Sequence, residues 1–102
     1  MTNSIAIAVI CIASWEQRDE AGRIGANHQP FNPKAMTCAT RLFPLGTRLH
    51  ITELHNGLTV DVLVTDRNPK KDANRIDLSP AAFEKLNGLA IGVCEIKAEV
   101  LK

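Results

Sequence analysis

The 102-residue chain carries 12 Lys and Arg against 11 Asp and Glu, a formal net charge of +1, with 45% hydrophobic and 23% charged residues. A chain of this length holds one domain, so we expect a single fold over residues 1–102. The near-neutral charge argues against a nucleic-acid partner, because phosphate binding usually leaves a clearly basic stripe. The composition is that of an ordinary globular domain.

The cysteines and histidines do not predict a metal site. Cys11, Cys38 and Cys94 form no CxxC pair, and the three histidines do not cluster with them in sequence. A structural zinc site usually needs four ligands at tight spacing, so we expect neither a metal nor another cofactor. The odd cysteine count allows at most one disulfide. Three buried thiols are the favoured alternative, because free Cys is among the most buried residue types.

The first predicted element is an apolar run at residues 5–13, IAIAVICIA. Its nine residues are too few to cross a membrane, which takes about 20, so we expect no membrane span in this chain. The run also lacks the basic residues that begin a signal peptide. Because it is rich in Ile and Val, it predicts a buried strand.

Residues 15–34 hold many polar and turn-forming residues, which predicts a long surface loop of the kind that often carries function. A single helical turn is predicted within it at Asn32-Pro33. The next predicted element is a β-hairpin, because two β-like runs flank Asn56-Gly57, the strongest short hairpin signal.

Alternation with a period of two marks the strands of the second half. On the second arm of the hairpin, one predicted face is apolar: Val60, Val62 and Val64. Near the C-terminus, apolar residues alternate with charged ones from Cys94 to Val100, which predicts a half-buried strand with Cys94 on the apolar face.

One helix is predicted between these strands. Ser79 is a suitable N-cap and Pro80 a suitable first helical residue, and Asn87-Gly88 is a stop signal. A small chain that is rich in strands and has one or two short helices predicts a barrel.

Six motifs of the chain follow one another in the order found in one known family. They are ASW at 13–15, ANHQPFNPKAMT at 26–37, FPLGT at 43–47, NG at 56–57, VTDRNP at 64–69 and RIDLSPAAFEKL at 75–86. On these motifs the sequence resembles the rare-lipoprotein-A (RlpA) family, relatives of the expansins and barwin-like proteins. The resemblance implies a mainly β fold, a six-stranded double-psi β-barrel with one or two short helices.

The resemblance also implies an activity. RlpA-like proteins act on peptidoglycan in the bacterial cell envelope. Their active members are lytic transglycosylases, which cleave glycan strands without water and leave a 1,6-anhydro end. We therefore expect peptidoglycan glycan strands as the partner of a monomeric protein. We also expect a location in the periplasm or cell envelope, with the export signal absent from this chain.

Two aspartates are the expected catalytic residues. Asp66 matches the aspartate of the family's NDRGP-like motif, where a carboxylic acid could protonate the glycosidic oxygen if its pKa is raised. Asp77 matches an aspartate in the groove of expansin-like members, so the two could form a carboxylate pair with divergent pKa values. The structural alternatives are that Asp66 bonds to its own turn and that Asp77 stabilises the helix beginning at Ser79.

Four further residues are expected to bind substrate through this resemblance or their side-chain chemistry. Ser14 matches the small hydroxyl residue of the expansin-type site. Trp15 could stack on a sugar face, with a core position as the alternative. Arg67 and Asn68 follow Asp66 and could grip muramyl carboxylates or acetamido groups, unless they belong to a solvated loop.

The chain also departs from the family pattern. Gln29 stands where many members have glutamate, and Thr40 stands where they usually have histidine. Both are expected to contact substrate, but Gln cannot transfer a proton at neutral pH. Glu16, which replaces a tyrosine, or His28 could compensate. Three hypotheses follow: a lytic transglycosylase, a non-catalytic expansin-like glycan-binding module, and a protease inhibitor or other partner-binding barrel.

Overall fold

The computed structural model of the protein describes residues 8–15, 21–88 and 92–102. Its elements, in chain order, are β1 (Ala8–Trp15), β2 (Thr37–Thr40), β3 (Arg48–Glu53), β4 (Thr59–Asp66), β5 (Arg75–Leu78), α1 (Pro80–Lys85) and β6 (Cys94–Val100). A 3₁₀ turn, Lys70–Asp72, lies between β4 and β5.

The six strands close into a barrel in the order β1-β5-β2-β4-β3-β6. Two neighbouring pairs, β1–β5 and β2–β4, are parallel, and the other pairs are antiparallel. This mixed closed barrel confirms the prediction of a six-stranded double-psi β-barrel. Closure leaves every strand paired on both sides, so the sheet has no exposed edge.

The predicted faces of β4 and β6 are confirmed. Val60, Val62 and Val64 point into the barrel, and Cys94, Ile96 and Ala98 are buried on β6. Each fully buried Val, Leu or Ile side chain contributes about 1.5–3 kcal/mol to folding. The core therefore follows the alternation that the sequence displays.

The prediction of a buried strand at residues 5–13 is right about the strand and wrong about its burial. Residues 5–7 lie outside the described part of the chain. From Ala8 onward β1 is paired, but Ile10 is 68% exposed while Ala13 is fully buried. The reason is that a barrel wall has one inner and one outer face, and side chains alternate between them.

The predicted hairpin joins β3 to β4 with Thr52 opposite Thr59. Gly57 adopts φ +76°, the left-handed conformation that glycine accepts without strain. The Glu53 carboxylate, 1% exposed, accepts hydrogen bonds from the backbone N–H groups of His55 (2.9 Å) and Asn56 (3.0 Å). The pKa of Glu53 is lowered, chiefly by the His55 backbone N–H. A buried carboxylate thus holds the turn.

The helix is also confirmed, and its cap is the predicted one. The Ala82 N–H donates to Ser79 Oγ (3.2 Å), and Ser79 Oγ donates to the carbonyl of Ala35 (2.6 Å). Phe83 is fully buried, and Asn87 ends the helix with φ 60°.

The single turn predicted at Asn32-Pro33 is present, closed by a bond from the Ala35 N–H to the Asn32 carbonyl (3.0 Å), and it does not extend into a longer helix. A 3₁₀ turn that the sequence did not predict lies at Lys70–Asp72.

Two sequence predictions concern thiols and membranes. All three cysteines lie in the described part of the chain, and none forms a disulfide. Burial raises the pKa of Cys11 to about 11, so this thiol is a poor nucleophile near neutral pH. Among the described residues, no helix is long and apolar enough to cross a bilayer.

Candidate functional site

The barrel brings Asp66 and Asp77 to opposite sides of one residue. Ala39 on β2 is the register partner of Asp66 on β4 and also of Asp77 on β5. Because neighbouring strands lie about 4.8 Å apart, the two aspartate backbones are separated by roughly two strand spacings, or about 10 Å. Both aspartates and Ala39 line one groove of about 280 Å³. The small side chain of Ala39 therefore leaves the space between the carboxyl groups open.

Asp77 is a partly buried carboxyl group with one neutral partner. Ser14, its register partner on β1, donates a hydrogen bond from its hydroxyl to Asp77 Oδ1. Burial raises the pKa of Asp77 against the lowering effect of the Ser14 hydroxyl, and the charge of Asp72 adds to the rise. A carboxyl group in this environment is suited to hold a proton. The structural alternative for Asp77 was to stabilise the helix that begins at Ser79. The side-chain cap of that helix, α1, comes from Ser79 itself.

Asp66 is oriented by backbone donors. Its Oδ1 accepts hydrogen bonds from the N–H groups of Ala26 (2.9 Å) and Arg67 (2.8 Å). The first bond ties the long loop to the end of β4, and Asn27 N–H to the Thr65 carbonyl (3.2 Å) adds to it. A Cβ at Gly25 would lie 3.3 Å from Asp66 Oδ2, so this close approach favours glycine. Asp66 thus bonds to its turn, as the structural alternative predicts, and also faces the groove.

Trp15 lies at the same groove and is 37% exposed. It follows Ser14 at the end of β1 and lines the groove together with both aspartates. Aromatic faces contact the C–H surfaces of sugars favourably, and this position fits that use.

Gln29 lies apart from Asp77. It lines a second, smaller cavity of about 140 Å³, together with Phe31, Thr37 and Asp66. Asp66 is therefore the residue that both cavities share. His28, the proposed compensating residue, is exposed with φ 66°, and Glu16 lies outside the described residues.

Thr40 is fully buried and does not line the groove. Its hydroxyl donates to the Arg75 carbonyl (3.0 Å) and accepts from the Leu42 N–H (3.1 Å). The guanidinium of Arg67 donates to the carbonyl oxygens of Thr40 (2.6 Å) and Phe43. The Thr40 hydroxyl and the Arg67 guanidinium, both expected to bind substrate, thus bond to backbone groups in this structure.

Asn68 lines the groove but is only 2% exposed. Its Nδ2 donates to the carbonyl oxygens of Asp72 (2.7 Å) and Arg75 (3.1 Å). Its own carbonyl accepts from Arg41 Nε (2.7 Å). Its Oδ1 finds no hydrogen-bond partner among the described residues.

Sequence reasoning missed four residues of the groove: Ala39, Arg23, Pro69 and Asp72. Ala39 lies in the motif CATR, and only the pairing of β2 with both neighbours reveals its place between the aspartates. The side chains of Arg23 and Lys71 bring positive charge to a groove that also holds three carboxyl groups. Among the described residues, no group of His, Cys, Asp and Glu side chains could hold a metal ion.

The closed barrel of six strands, with a groove at one end that carries carboxyl groups, defines the class of protein as a double-psi β-barrel. The lytic transglycolase family matches residues 11–98, and the chain belongs to that family. The chain is 40% identical to a probable endolytic peptidoglycan transglycosylase RlpA of a Nostoc species, over 99% of this chain and 28% of that protein. It thus spans less than a third of that relative's length.

Solved structures show the same barrel. A Streptomyces papain inhibitor superposes with a TM-score of 0.76 and 26% identity, over 94% of this chain and 96% of that one. An expansin variant of Clavibacter michiganensis, in complex with cellohexaose, superposes with a TM-score of 0.72 and 21% identity, over 94% of this chain and 51% of that one.

Proposed function

We propose that this domain acts in the bacterial cell envelope, where it binds peptidoglycan glycan strands in the groove between Asp66 and Asp77 and cleaves them as a lytic transglycosylase. The observation that carries the proposal is the arrangement of the two carboxyl groups. Asp77 is partly buried and bonded to Ser14, and it lies across Ala39 from Asp66. Similarity to an RlpA transglycosylase over 99% of this chain supports the same function.

In the proposed reaction the acid is Asp77, and not Asp66 as the sequence suggested, because burial raises the pKa of Asp77. It donates its proton to the glycosidic oxygen as the bond from that oxygen to the muramyl C1 breaks. The resulting Asp77 carboxylate then takes the proton of the muramyl C6 hydroxyl as O6 bonds to C1. This closes the 1,6-anhydro ring without water and restores the acid. Asp66, oriented by its two backbone donors, stabilises the positive charge that develops at C1.

This proposal explains how the site could work with Gln29 and Thr40. A single carboxyl group that first gives and then takes a proton needs no second proton-transferring residue. Gln29 lines the neighbouring cavity that borders Asp66, where its amide could bond to a sugar hydroxyl or acetamido group. Trp15 supplies a stacking surface at the groove.

The test is incubation of the protein with peptide-free glycan strands, followed by mass spectrometry of the products. We expect anhydromuramyl ends with the unchanged protein, and strongly reduced amounts of them with Asp77→Asn or Asp66→Asn. The matched control is Asp61→Asn, since Asp61 is an exposed aspartate on β4 whose partner is His50. Binding without products from the unchanged protein would overturn the lytic activity and leave an expansin-like glycan-binding module. Absence of binding would overturn both.

A second candidate is a partner-binding barrel that inhibits a papain-like protease. It is favoured by the superposition on the Streptomyces papain inhibitor, which covers nearly the whole of both chains. Apolar side chains are also exposed near the hairpin, including Leu54 and Leu58 at 44% each. Titration of papain with the protein tests this candidate. Stoichiometric loss of protease activity that Leu54→Ser relieves would support it, and unchanged papain activity at high excess would exclude it.

A further inference from the structure

The segment between Asp66 and Asp77 is held by side-chain hydrogen bonds from residues that take no part in the proposed reaction. Asn68 lies two residues after Asp66, and Arg75 lies two residues before Asp77. Asn68 Nδ2 donates to the Arg75 carbonyl (3.1 Å) and to the Asp72 carbonyl (2.7 Å). One buried amide therefore ties the chain leaving β4 to the chain entering β5.

Thr40 ties the same two segments from the other side. Its hydroxyl donates to the Arg75 carbonyl (3.0 Å), and its own carbonyl accepts from the Arg67 guanidinium (2.6 Å). Thr40 is fully buried and follows Ala39, the residue that separates the aspartates. The side chains of Thr40 and Asn68 thus converge on one carbonyl oxygen, that of Arg75.

We propose that Thr40 and Asn68 are positioning residues, which set the separation of Asp66 and Asp77 through the carbonyl oxygen of Arg75. The importance of this separation for cleavage rests on the proposed function, whereas the positioning itself does not. Neither side chain touches the reacting atoms in this proposal. Each acts through the backbone that carries an aspartate.

The carbonyl oxygen Oδ1 of Asn68, which has no hydrogen-bond partner among the described residues, supports this role. A buried carbonyl oxygen that lacks a donor costs folding free energy. The two bonds donated by Nδ2 offset that cost, and an aspartate or leucine at this position could not make them. Asn68 therefore stabilises the structure through the two hydrogen bonds that its Nδ2 donates. Both acceptors, the carbonyl oxygens of Asp72 and Arg75, belong to the segment that leads to Asp77.

Loss of these side-chain hydrogen bonds should have a local effect, because β5 is also held by its backbone pairing with β1 and β2. Arg75 lies opposite Ile12, and Asp77 lies opposite Ser14 and Ala39. Loss of a bond to the Arg75 carbonyl would loosen the start of β5 and its preceding turn without opening the barrel. Water would then reach Asp77 more easily, so the burial that raises its pKa would be reduced.

The test compares two pairs of variants. Thr40→Val removes the hydroxyl at nearly constant shape, and Thr40→Ser keeps it. Asn68→Ala removes the buried amide, and Asn74→Ala makes the same change at an exposed position of the same segment. For each folded variant, the carboxyl carbon of Asp77 is titrated by NMR, and glycan cleavage is measured with kcat and KM determined separately.

We expect Asp77 to titrate at lower pH in Thr40→Val and Asn68→Ala than in the unchanged protein. In the controls Thr40→Ser and Asn74→Ala, we expect Asp77 to titrate as it does in the unchanged protein. We expect kcat to fall by up to about 100-fold with KM nearly constant, since small displacements of reacting groups cost rates of that order. The double variant should lose less than the product of the single effects, because both side chains bond to one oxygen.

An unchanged Asp77 titration in folded Thr40→Val and Asn68→Ala would overturn the positioning role. If Asn68→Ala does not fold, Thr40→Val decides, with Thr40→Ser as its rescue. If the unchanged protein cleaves no glycan, the proposed function fails separately, and the Asp77 titration still decides whether these residues position the carboxyl group.

Discussion

The hairpin end and the groove end of the barrel each bury a carboxyl group, and the two groups behave in opposite ways. Glu53, at the hairpin, is 1% exposed and accepts backbone N–H bonds that lower its pKa. Asp77, at the groove, is less buried, and its pKa is raised, because burial raises it by more than its hydrogen bond from the Ser14 hydroxyl lowers it. Whether a buried carboxyl group stays ionised or holds a proton therefore depends more on the number and kind of its hydrogen-bond donors than on how deeply it is buried.

The largest expected effect tests the groove side of this comparison. Asp77→Asn should lower glycan cleavage by about 10²–10⁴-fold, the range of a general acid. The same variant should be more stable than the unchanged protein at neutral pH, because the ionised form of Asp77 is disfavoured by burial. Cleavage assays and urea denaturation at pH 7 measure both quantities. A less stable Asp77→Asn protein would show that this carboxylate supports the fold, as Glu53 does.

Substitution of Glu53, at the hairpin, should have the opposite effects: a loss of stability and no loss of glycan cleavage. Glu53→Gln replaces an oxygen that accepts the Asn56 N–H or His55 N–H with an NH₂ group, so it should cost about 1–3 kcal/mol of stability. Glycan cleavage at a temperature where the variant is folded should not change. The control is Glu95→Gln, an exposed glutamate at 59% beside His55, for which we expect a change within about 0.5 kcal/mol. Equal losses in the two variants would contradict a structural role for Glu53.

The pH dependence of stability should separate the two groups next. Glu53 has a folded pKa below its ordinary 4.5, so its contribution is present above pH 4.5 and is lost as pH falls through the folded pKa. Asp77 has a folded pKa above its ordinary 3.8, so its contribution is present below pH 3.8 and is lost as pH rises through the folded pKa. Urea denaturation from pH 3 to pH 8, with each Asn or Gln variant as reference, should therefore give difference curves of opposite slope.

The smallest expected effect concerns exposed side chains at the two ends. Trp15→Ala should weaken glycan binding about threefold to tenfold, since aromatic contacts are worth about 0.5–1.5 kcal/mol. Leu54→Ala, at the hairpin end and similarly exposed, should leave glycan affinity unchanged. Isothermal titration with a peptide-free glycan oligomer measures both. A loss of affinity in Leu54→Ala would place glycan contacts at the wrong end of the barrel.

Much of the local structure could be predicted because its signals lie within a few residues. Asn56-Gly57 predicts the hairpin through the left-handed backbone that the turn needs, and Gly57 adopts it. Ser79 and Pro80 predict the start of α1, and the cap forms as expected. The motifs around Asp66 and Asp77 likewise indicate the end of the barrel where the groove lies.

By itself, then, the sequence determined the two hairpin strands, the last strand, the helix cap and the family, whereas β5 (Arg75–Leu78) was not predicted as a strand. Only the tertiary structure decided that Ala39 separates the two aspartates, that Thr40 and Asn68 meet on one carbonyl, and that Glu53 is buried with its donors. The first two of these facts depend on which strands become neighbours when the barrel closes. Parallel pairs such as β1–β5 and β2–β4 join segments far apart in the chain, and the alternation within one strand carries no record of the strand beside it.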